Sequence, residues 1–192
     1  QELATKAYTA SVHIDDVDEA ASQLMASQGL SSDENLQYPE RYVEEFVEFL
    51  HSEEEVGIAS RFSGLQKRIG GYERSNIYVF AGAEKMGKSA AMISEAHYFA
   101  KRNPEMVGIY FSLEMSHRLI TRRIVSIDSG VEVQKLKTRN MSDGEWVAAH
   151  NSAAWLKNSN LIIDTTGGIT HEKIDLKCQH VISTAGRLDY IF

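Results

Sequence analysis

The spacing of apolar residues changes once along this chain, near Gly57. Before that point apolar residues recur every three or four positions, which predicts two amphipathic helices. The first spans about Asp15 to Gln28, and the second begins at Pro39, because proline is tolerated in the first turn of a helix. After Gly57, short apolar runs alternate with helix-length segments, which predicts a parallel sheet with crossover helices.

The alternating part is typical of an α/β fold. Four short apolar runs have the composition of buried strands. Four longer segments have the apolar spacing of helices, and the third opens with Ser142 and Glu145 at capping-box spacing. The predicted strands are Ile77–Ala81, Val107–Phe111, Leu161–Asp164 and Leu188–Phe192, and the predicted helices are Lys88–Arg102, Ser116–Ser129, Ser142–Lys157 and Thr170–Ala185.

One segment carries recognisable chemistry. Residues 82–89 read Gly-Ala-Glu-Lys-Met-Gly-Lys-Ser and match the phosphate-binding pattern GxxxxGK(S/T) at every fixed position. The glycines let backbone N–H groups approach a triphosphate, the lysine reaches the β- and γ-phosphates, and the hydroxyl binds Mg²⁺. The pattern lies between a predicted strand and a predicted helix, so bound phosphate would meet a helix N-terminus. Nucleotide binding is therefore the first functional hypothesis.

This loop and the next strand define the candidate site residues. Lys88 is the candidate contact to the terminal phosphates, and Ser89 is the candidate metal ligand. Glu114 follows the strand predicted to end at Phe111, and ligands bind beyond the carboxyl ends of strands in such sheets. A carboxylate there would orient or deprotonate the attacking water, or else it caps the following helix. The candidate cofactor-binding residues are Gly82, Ala83, Glu84, Lys85, Met86, Gly87, Lys88, Ser89 and Ala90.

Charge divides the chain at nearly the same point as the apolar pattern. Residues 1–58 hold 14 acidic and 2 basic residues, whereas residues 59–192 hold 13 acidic and 18 basic ones. A basic domain beside an acidic segment suits a polyanionic partner, although solvated surface charge is the commoner cause. The chain has one cysteine, no signal segment and no apolar run of bilayer-spanning length, which predicts a cytoplasmic protein with no membrane contact.

The segment after the second predicted strand resembles a motif of the DnaB family of replicative helicases. It reads Phe-Ser-Leu-Glu-Met-Ser over residues 111–116. The resemblance covers about residues 57–192. Its other parts are residues 62–65 with 70–71 before the loop, the loop core 86–89, Arg123, residues 135–138 with 143–146, and residues 163–164 with 168–170.

The resemblance implies a RecA-like P-loop ATPase domain, residues 57–192, preceded by an acidic helical linker, residues 1–56. It implies a ring, with six members expected, that hydrolyses ATP with Mg²⁺ at subunit interfaces and moves 5′→3′ along single-stranded DNA. Lys88 would contact the β- and γ-phosphates, Ser89 would bind Mg²⁺, and Glu114 would be the catalytic base. A primase and a helicase loader are candidate further partners.

Two features depart from the family pattern. Glu84 and Lys85 replace the more usual Pro-Ser, which changes the charge near the phosphates without removing a required contact. The family's Walker B aspartate would fall just past Phe192, and Asp189 is a poor substitute because the residues before it do not form an apolar strand. This 192-residue chain alone is therefore expected to bind nucleotide weakly and to hydrolyse it hardly at all.

Two other functions stay open at the level of sequence. A RecA-like ATPase could use ATP as an assembly switch for rings or filaments without unwinding DNA. Alternatively, residues 15–52 could serve mainly to grip a partner. The apolar stripe formed by Tyr42, Phe46, Phe49 and Leu50 could dock on a neighbouring subunit or simply cover a core. The motif over residues 112–116 favours the helicase.

Overall fold

The structure is a computed structural model, and it describes residues 38–52 and 57–192. The chain forms two compact units that divide between Glu54 and Glu55. The helix predicted over Asp15–Gln28 lies outside the described residues. The first unit contains helix α1, Pro39–His51, which begins at the predicted proline and buries none of its side chains.

The second unit is an α/β domain with a three-stranded sheet. The strand order is β2-β1-β3, and both pairings are parallel. The predicted alternation of helices and strands is thus confirmed from the phosphate loop onward. The elements in chain order are α2 (Ser63–Ile69), α3 (Lys88–Arg102), β1 (Gly108–Phe111), α4 (His117–Ser129), α5 (Val133–Thr138), α6 (Asp143–Lys157), β2 (Leu161–Asp164), α7 (His171–Ala185) and β3 (Tyr190–Ile191).

Local signals explain where the long helices begin. In α6 the Ser142 backbone N–H donates to the Glu145 carboxylate at 2.9 Å, and the Ser142 hydroxyl accepts from the Glu145 backbone in return. This capping box satisfies two N–H groups that a helix start otherwise leaves unpaired. Helices α3, α4, α6 and α7 agree with the predicted ranges to within one residue at each end. The sequence pattern missed α2 and α5, because seven and six residues are too few for a clear period.

The strand predicted over Ile77–Ala81 does not form, so that prediction is wrong. Ile77 and Val79 are 92% and 82% exposed. A cleft of about 570 Å³ has residues 72–77 on one wall and residues 188–191 of the β3 edge on another. A strand exists only through pairing with a neighbour, and within the described residues no backbone hydrogen bond joins residues 77–81 to a strand.

Both faces of the sheet are covered by helices. On one face Tyr110 of β1 packs with Ile93 of α3 and with Ile120 of α4. On the other face Ile109 packs with Cys178 of α7. Successive strand residues point to opposite faces, so this alternation is what a sheet buried on both sides requires. Cys178 is a core residue, as predicted, and burial raises the pKa of its thiol.

A charged cluster joins α3, α4 and α6. Asp128 accepts from Lys101 Nζ at 2.7 Å and pairs with His97 Nε2 at 3.0 Å. The Trp155 ring lies edge-on to His97, and Lys101 Nζ sits 4.5 Å from the centre of that ring. Burial lowers the pKa of His97 despite the nearby carboxylate of Asp128. The imidazole is therefore held mainly neutral in this interface.

Gly108 of β1 leaves room for the ring of Tyr190, its partner on β3. A Cβ atom added there would lie 1.9 Å from Cε2 of Tyr190. We expect Gly108→Ala to lower the free energy of unfolding by about 1–3 kcal/mol, because overpacking forces neighbouring groups apart.

The matched control is Gly144→Ala in α6, where nothing lies within 4 Å of the added Cβ. It should be neutral or stabilise by up to about 1 kcal/mol, since alanine favours helix. Urea unfolding measures both variants, and equal stability of the two would contradict the tight packing of β1 on β3.

Candidate nucleotide-binding site

The phosphate loop, residues 82–89, is an exposed turn that leads directly into α3. Lys88 is the first helical residue, and Gly87 precedes it with a φ of 90°. This left-handed conformation favours glycine, which explains the second glycine of the pattern. Ala91 N donates to Gly87 O at 2.9 Å, and no side chain caps the helix start. The N–H groups of the first turn are thus available to an anion.

The Lys88 side chain folds back over the loop. Its Nζ donates to Gly82 O at 2.8 Å and to Ala83 O at 2.9 Å. An ammonium group has three donors, so these carbonyls engage two of them. A bound phosphate would compete with the two carbonyls for Lys88. Ser89 is half-buried beside it in the first turn of α3.

The turn that follows β1 presents Glu114. Ser112 is buried; its backbone N–H donates to Asp164 O at 2.8 Å, and its Oγ accepts from Met115 N at 3.1 Å. These bonds fix the turn and leave Glu114 exposed within it. Helix α4 begins directly afterwards with Ser116 at its N-cap. Among the described residues no hydrogen bond joins Glu114 to that helix start, so the capping alternative finds no support.

The path of α3 relates the loop to this turn. Phe99, near the end of α3, packs on Tyr190 and Phe192 with ring centres 5.3 Å apart in both pairs. The short link from α3 to β1 makes the helix run antiparallel to the strand. Lys88 precedes Phe99 by three turns, roughly 16 Å along the axis. Hence α3 begins beyond the carboxyl ends of the strands, at the same end of the sheet as the turn that carries Glu114. The catalytic roles of Lys88 and Glu114 stay a prediction.

Asp164, the last residue of β2, forms an ion pair with Lys177. Lys177 donates to the Asp164 carboxylate and, at 2.7 Å, to Thr166 Oγ1. Thr166 N donates to Asp164 Oδ1 at 2.9 Å. Burial alone would raise the pKa of Asp164, but the hydrogen bonds from Lys177 and Thr166 outweigh it and lower the pKa. Asp164 is therefore an ionised group whose partners are already within the fold.

Asp189 lies at the opposite end of the sheet. Its Oδ2 accepts from Val107 N at 2.9 Å, and Arg187 donates to its two oxygens at 2.7 and 2.6 Å. The Arg187 guanidinium lowers the pKa of Asp189. Asp189 precedes β3 and does not follow it, so it is badly placed for a metal that must meet phosphates beyond the carboxyl ends.

Sequence reasoning missed Glu95, which is fully buried in α3. Its carboxylate accepts from Ser60 Oγ at 2.5 Å, from Arg61 N at 2.8 Å and from Tyr72 Oη at 3.0 Å. Burial, and then the charge of Glu95, raise the pKa of Tyr72 well above its ordinary value. The available signal was an acidic residue within the apolar face of a helix, since such residues are buried only with partners.

Residues 38–52 and 57–192 contain no group of three or more His, Cys, Asp or Glu side chains that could hold a metal ion. Mg²⁺ commonly binds through one or two protein oxygens together with phosphate oxygens and waters. The Ser89 hydroxyl at the start of α3 fits that mode. In the same part of the chain, no helix is both long and apolar enough to cross a membrane.

The domain has the fold of helicase ATPase domains. One solved structure is described as that of a DnaB-like replicative helicase and its interactions with primase. It superposes on this chain with a TM-score of 0.68 at 23% identity, and the match covers 92% of this chain and 42% of that one. A second solved structure, that of an ATPase domain, gives a TM-score of 0.69 at 22% identity, covering 83% of this chain and 56% of that one. The fold is therefore the RecA-like α/β fold, as predicted.

Sequence comparison gives the family. Residues 57–192 match the DnaB-like helicase C terminal domain, and the chain belongs to this family. The replicative DNA helicase DnaC of Bacillus subtilis (strain 168) is 29% identical over 142 residues, which cover 73% of this chain and 31% of that protein. The replicative DNA helicase DnaB of Geobacillus stearothermophilus gives the same values. The chain thus spans about a third of the length of these relatives, and the resemblance seen in its motifs is confirmed.

Asp189→Asn tests whether this carboxylate is structural. We expect the free energy of unfolding to fall by about 1–3 kcal/mol, because the amide has no negative charge and turns an NH₂ group, in place of an acceptor oxygen, toward Arg187 Nη2. The Mg²⁺ dependence of nucleotide binding in the full-length protein should not change, because the side chain lies at the wrong end of the sheet.

The comparison is Ser89→Ala, which removes the candidate metal ligand and should make nucleotide binding less dependent on Mg²⁺. Titration of MgCl₂ at a fixed concentration of a fluorescent ATP analogue measures both variants. A loss of Mg²⁺ dependence in Asp189→Asn would assign the metal to the other end of the sheet.

Proposed function

We propose that this chain is the nucleotide-binding part of the motor of a replicative DNA helicase. The observation that supports the proposal is the phosphate loop at the start of α3 in a chain of the DnaB-like family, with the Glu114 turn at the same end of the sheet. The full-length protein would hydrolyse ATP to move 5′→3′ on single-stranded DNA and unwind duplex at the replication fork. The similar proteins are named replicative DNA helicases.

Each site residue has a role that its position allows. The phosphates would bind along residues Gly82–Ala90 and accept hydrogen bonds from the N–H groups of the first turn of α3. Lys88 would give up its hydrogen bonds to the carbonyls of Gly82 and Ala83 in order to reach the phosphates. Ser89 would hold Mg²⁺ together with phosphate oxygens, and the ion would supply further positive charge. Glu114, exposed on its turn, would accept a proton from the attacking water.

Hydrolysis in the full-length protein tests these roles. Lys88→Ala should lose nucleotide affinity by about 100-fold, because a charged contact to phosphate disappears. Glu114→Gln should keep binding but slow hydrolysis by about 10²–10⁴-fold, the contribution of a positioned general base. The matched control is Glu105→Gln, an exposed carboxylate in the turn before β1 and so at the other end of that strand from Glu114, which should keep a rate within about threefold of the parent.

Single-stranded DNA separates the helicase from an assembly switch. We expect it to stimulate hydrolysis, and we expect a forked duplex to be unwound in the presence of ATP. Hydrolysis that ignores single-stranded DNA, with no unwinding, would favour the switch. A Glu114→Gln variant that hydrolyses ATP at the parent rate would contradict the role given to that carboxylate.

We also propose that α1 joins neighbouring subunits of a ring with six members. Its apolar stripe is exposed, with Phe46 at 57% and Leu50 at 60%. Large apolar side chains exposed together on one face of a helix mark a candidate interaction site. α1 also carries four exposed glutamates, at positions 40, 44, 45 and 48.

A groove between α4 and α5 offers a complementary surface. Its volume is about 390 Å³. Val125 and Leu136 supply apolar surface, and Arg118 and Arg122 supply the charge opposite to that of α1. Charge complementarity of this kind selects partners and fixes their register. We place α1 of one copy in this groove of the next copy.

Phe46→Glu in the full-length protein should break the ring into smaller species, because it puts a charge into the middle of the apolar stripe. Glu48→Lys is the matched control on the opposite face of α1 and should leave the ring intact. Sedimentation velocity measures both. A Phe46→Glu variant that sediments like the parent would rule out this interface.

The remaining partners follow from charge and family. The basic surplus within residues 59–192 suits contact with the backbone of single-stranded DNA, which needs no base-specific reading. A primase and a helicase loader are proposed as further partners; the structural neighbour named above is described together with its interactions with primase. The proposed location is the cytoplasm.

A further inference from the structure

The segment before the phosphate loop folds as a small closed unit, residues 57–73, which we name the lead-in unit. Ile58 and Tyr72 exchange two backbone hydrogen bonds at 3.0 and 2.8 Å, which ties its ends together. Between them, Gln66 accepts from Ser60 N at 2.7 Å and donates to Gly70 O at 2.6 Å. The unit is therefore held in shape by its own hydrogen bonds.

One carboxylate attaches this unit to α3. Within residues 57–192, Glu95 is the acceptor of every hydrogen bond between the lead-in unit and α3. The donors are Ser60, Arg61 and Tyr72. Glu95 follows Lys88 by nearly two full helical turns, so both residues lie on the same face of α3, roughly 10 Å apart along its axis. The helix that starts at the phosphate loop is thus anchored from the side on which Lys88 lies.

The lead-in unit also contacts the segment that enters the phosphate loop. The Tyr72 ring meets the Tyr78 ring edge to face, with centres 4.8 Å apart. Glu73 N donates to Tyr78 Oη at 2.9 Å. Tyr78 stands four residues before Gly82, where the loop begins. One rigid unit therefore touches both the chain that enters the loop and the helix that leaves it.

We propose that Glu95 is a positioning residue for nucleotide binding: it holds α3 against the lead-in unit and so fixes the two arms of the phosphate loop relative to each other. The proposal rests on the proposed function of that loop. Loss of the carboxylate leaves the hydroxyl hydrogens of Ser60 and Tyr72 without their acceptor, which favours a shift of the helix. A helix moves as a rigid rod, so a shift at Glu95 also moves Lys88, and misplacement by about 1 Å is enough to weaken a site strongly.

Binding of ATPγS with Mg²⁺ to the full-length protein, measured by calorimetry, tests the proposal. Glu95→Ala should weaken binding by about tenfold and raise the KM for ATP by a similar factor. The kcat should stay within about threefold, because lost positioning of the ground state changes KM and not kcat. All variants are measured at a temperature where thermal unfolding shows them folded.

The control separates positioning from general loss of stability. Ile109→Ala truncates a fully buried side chain of β1 on the face of the sheet that packs on α7 and not on α3, and it should lower the melting temperature at least as much as Glu95→Ala does. Its Kd for ATPγS should stay within about twofold of the parent. Equal Kd values for Glu95→Ala and Ile109→Ala would overturn the proposal.

Milder variants keep the test valid if Glu95→Ala does not fold. The amide oxygen of Glu95→Gln can still accept from Ser60 and Tyr72, but its NH₂ group faces Arg61 N, which is also a donor. This variant should therefore bind ATPγS more tightly than Glu95→Ala and about threefold more weakly than the parent. Ser60→Ala should show a similar loss. Parent-like binding by both would overturn the proposal.

Lys88→Ala separates this proposal from the proposed function. If Lys88→Ala binds ATPγS like the parent, the phosphate loop itself is not the nucleotide site. If Lys88→Ala loses binding and Glu95→Ala does not, only the positioning role fails.

Discussion

The packing of α3 against the sheet determines where the candidate site lies. Ile93 and Ala96 are fully buried in this interface, and Phe99 packs on both Tyr190 and Phe192. Because the helix is rigid, these contacts fix the position of its first residue, Lys88. The free N–H groups at that helix start, together with the left-handed turn at Gly87, then form a surface suited to phosphate. The chemistry of the site thus depends on apolar packing one to three turns away from it.

The features that could be predicted from sequence were those encoded locally. The four long helices α3, α4, α6 and α7 follow from apolar period and capping residues, which are properties of neighbouring positions. The phosphate loop was recognisable because the spacing of its glycines and its lysine is itself the binding chemistry. The run Ile77–Ala81 was misjudged because a strand requires a partner that lies far away in sequence. The position of Glu114 after a predicted strand made it a candidate, and the family resemblance favoured the catalytic role over helix capping. Glu95 could not be found in this way, because its role depends on contacts with residues 23 to 35 positions distant.

Charge and exposure give the two units different properties. The described part of the first unit is an acidic helix with an exposed apolar stripe, and it buries none of its own side chains. The second unit has its own core on both faces of the sheet and carries the basic surplus. A helix of this kind gains stability mainly by packing on another surface, and a basic groove with apolar residues is such a surface. This division fits the proposal that α1 joins neighbouring copies of the chain.

The central claim is that a triphosphate binds at the start of α3 through Lys88. A crystal structure of the full-length protein with Mg²⁺ and ATPγS tests it most directly. The account predicts that Lys88 Nζ leaves the carbonyls of Gly82 and Ala83 and lies about 3 Å from an oxygen of the terminal phosphates. A nucleotide bound elsewhere, or a Lys88 side chain that keeps both carbonyl contacts while nucleotide is bound, would contradict the account.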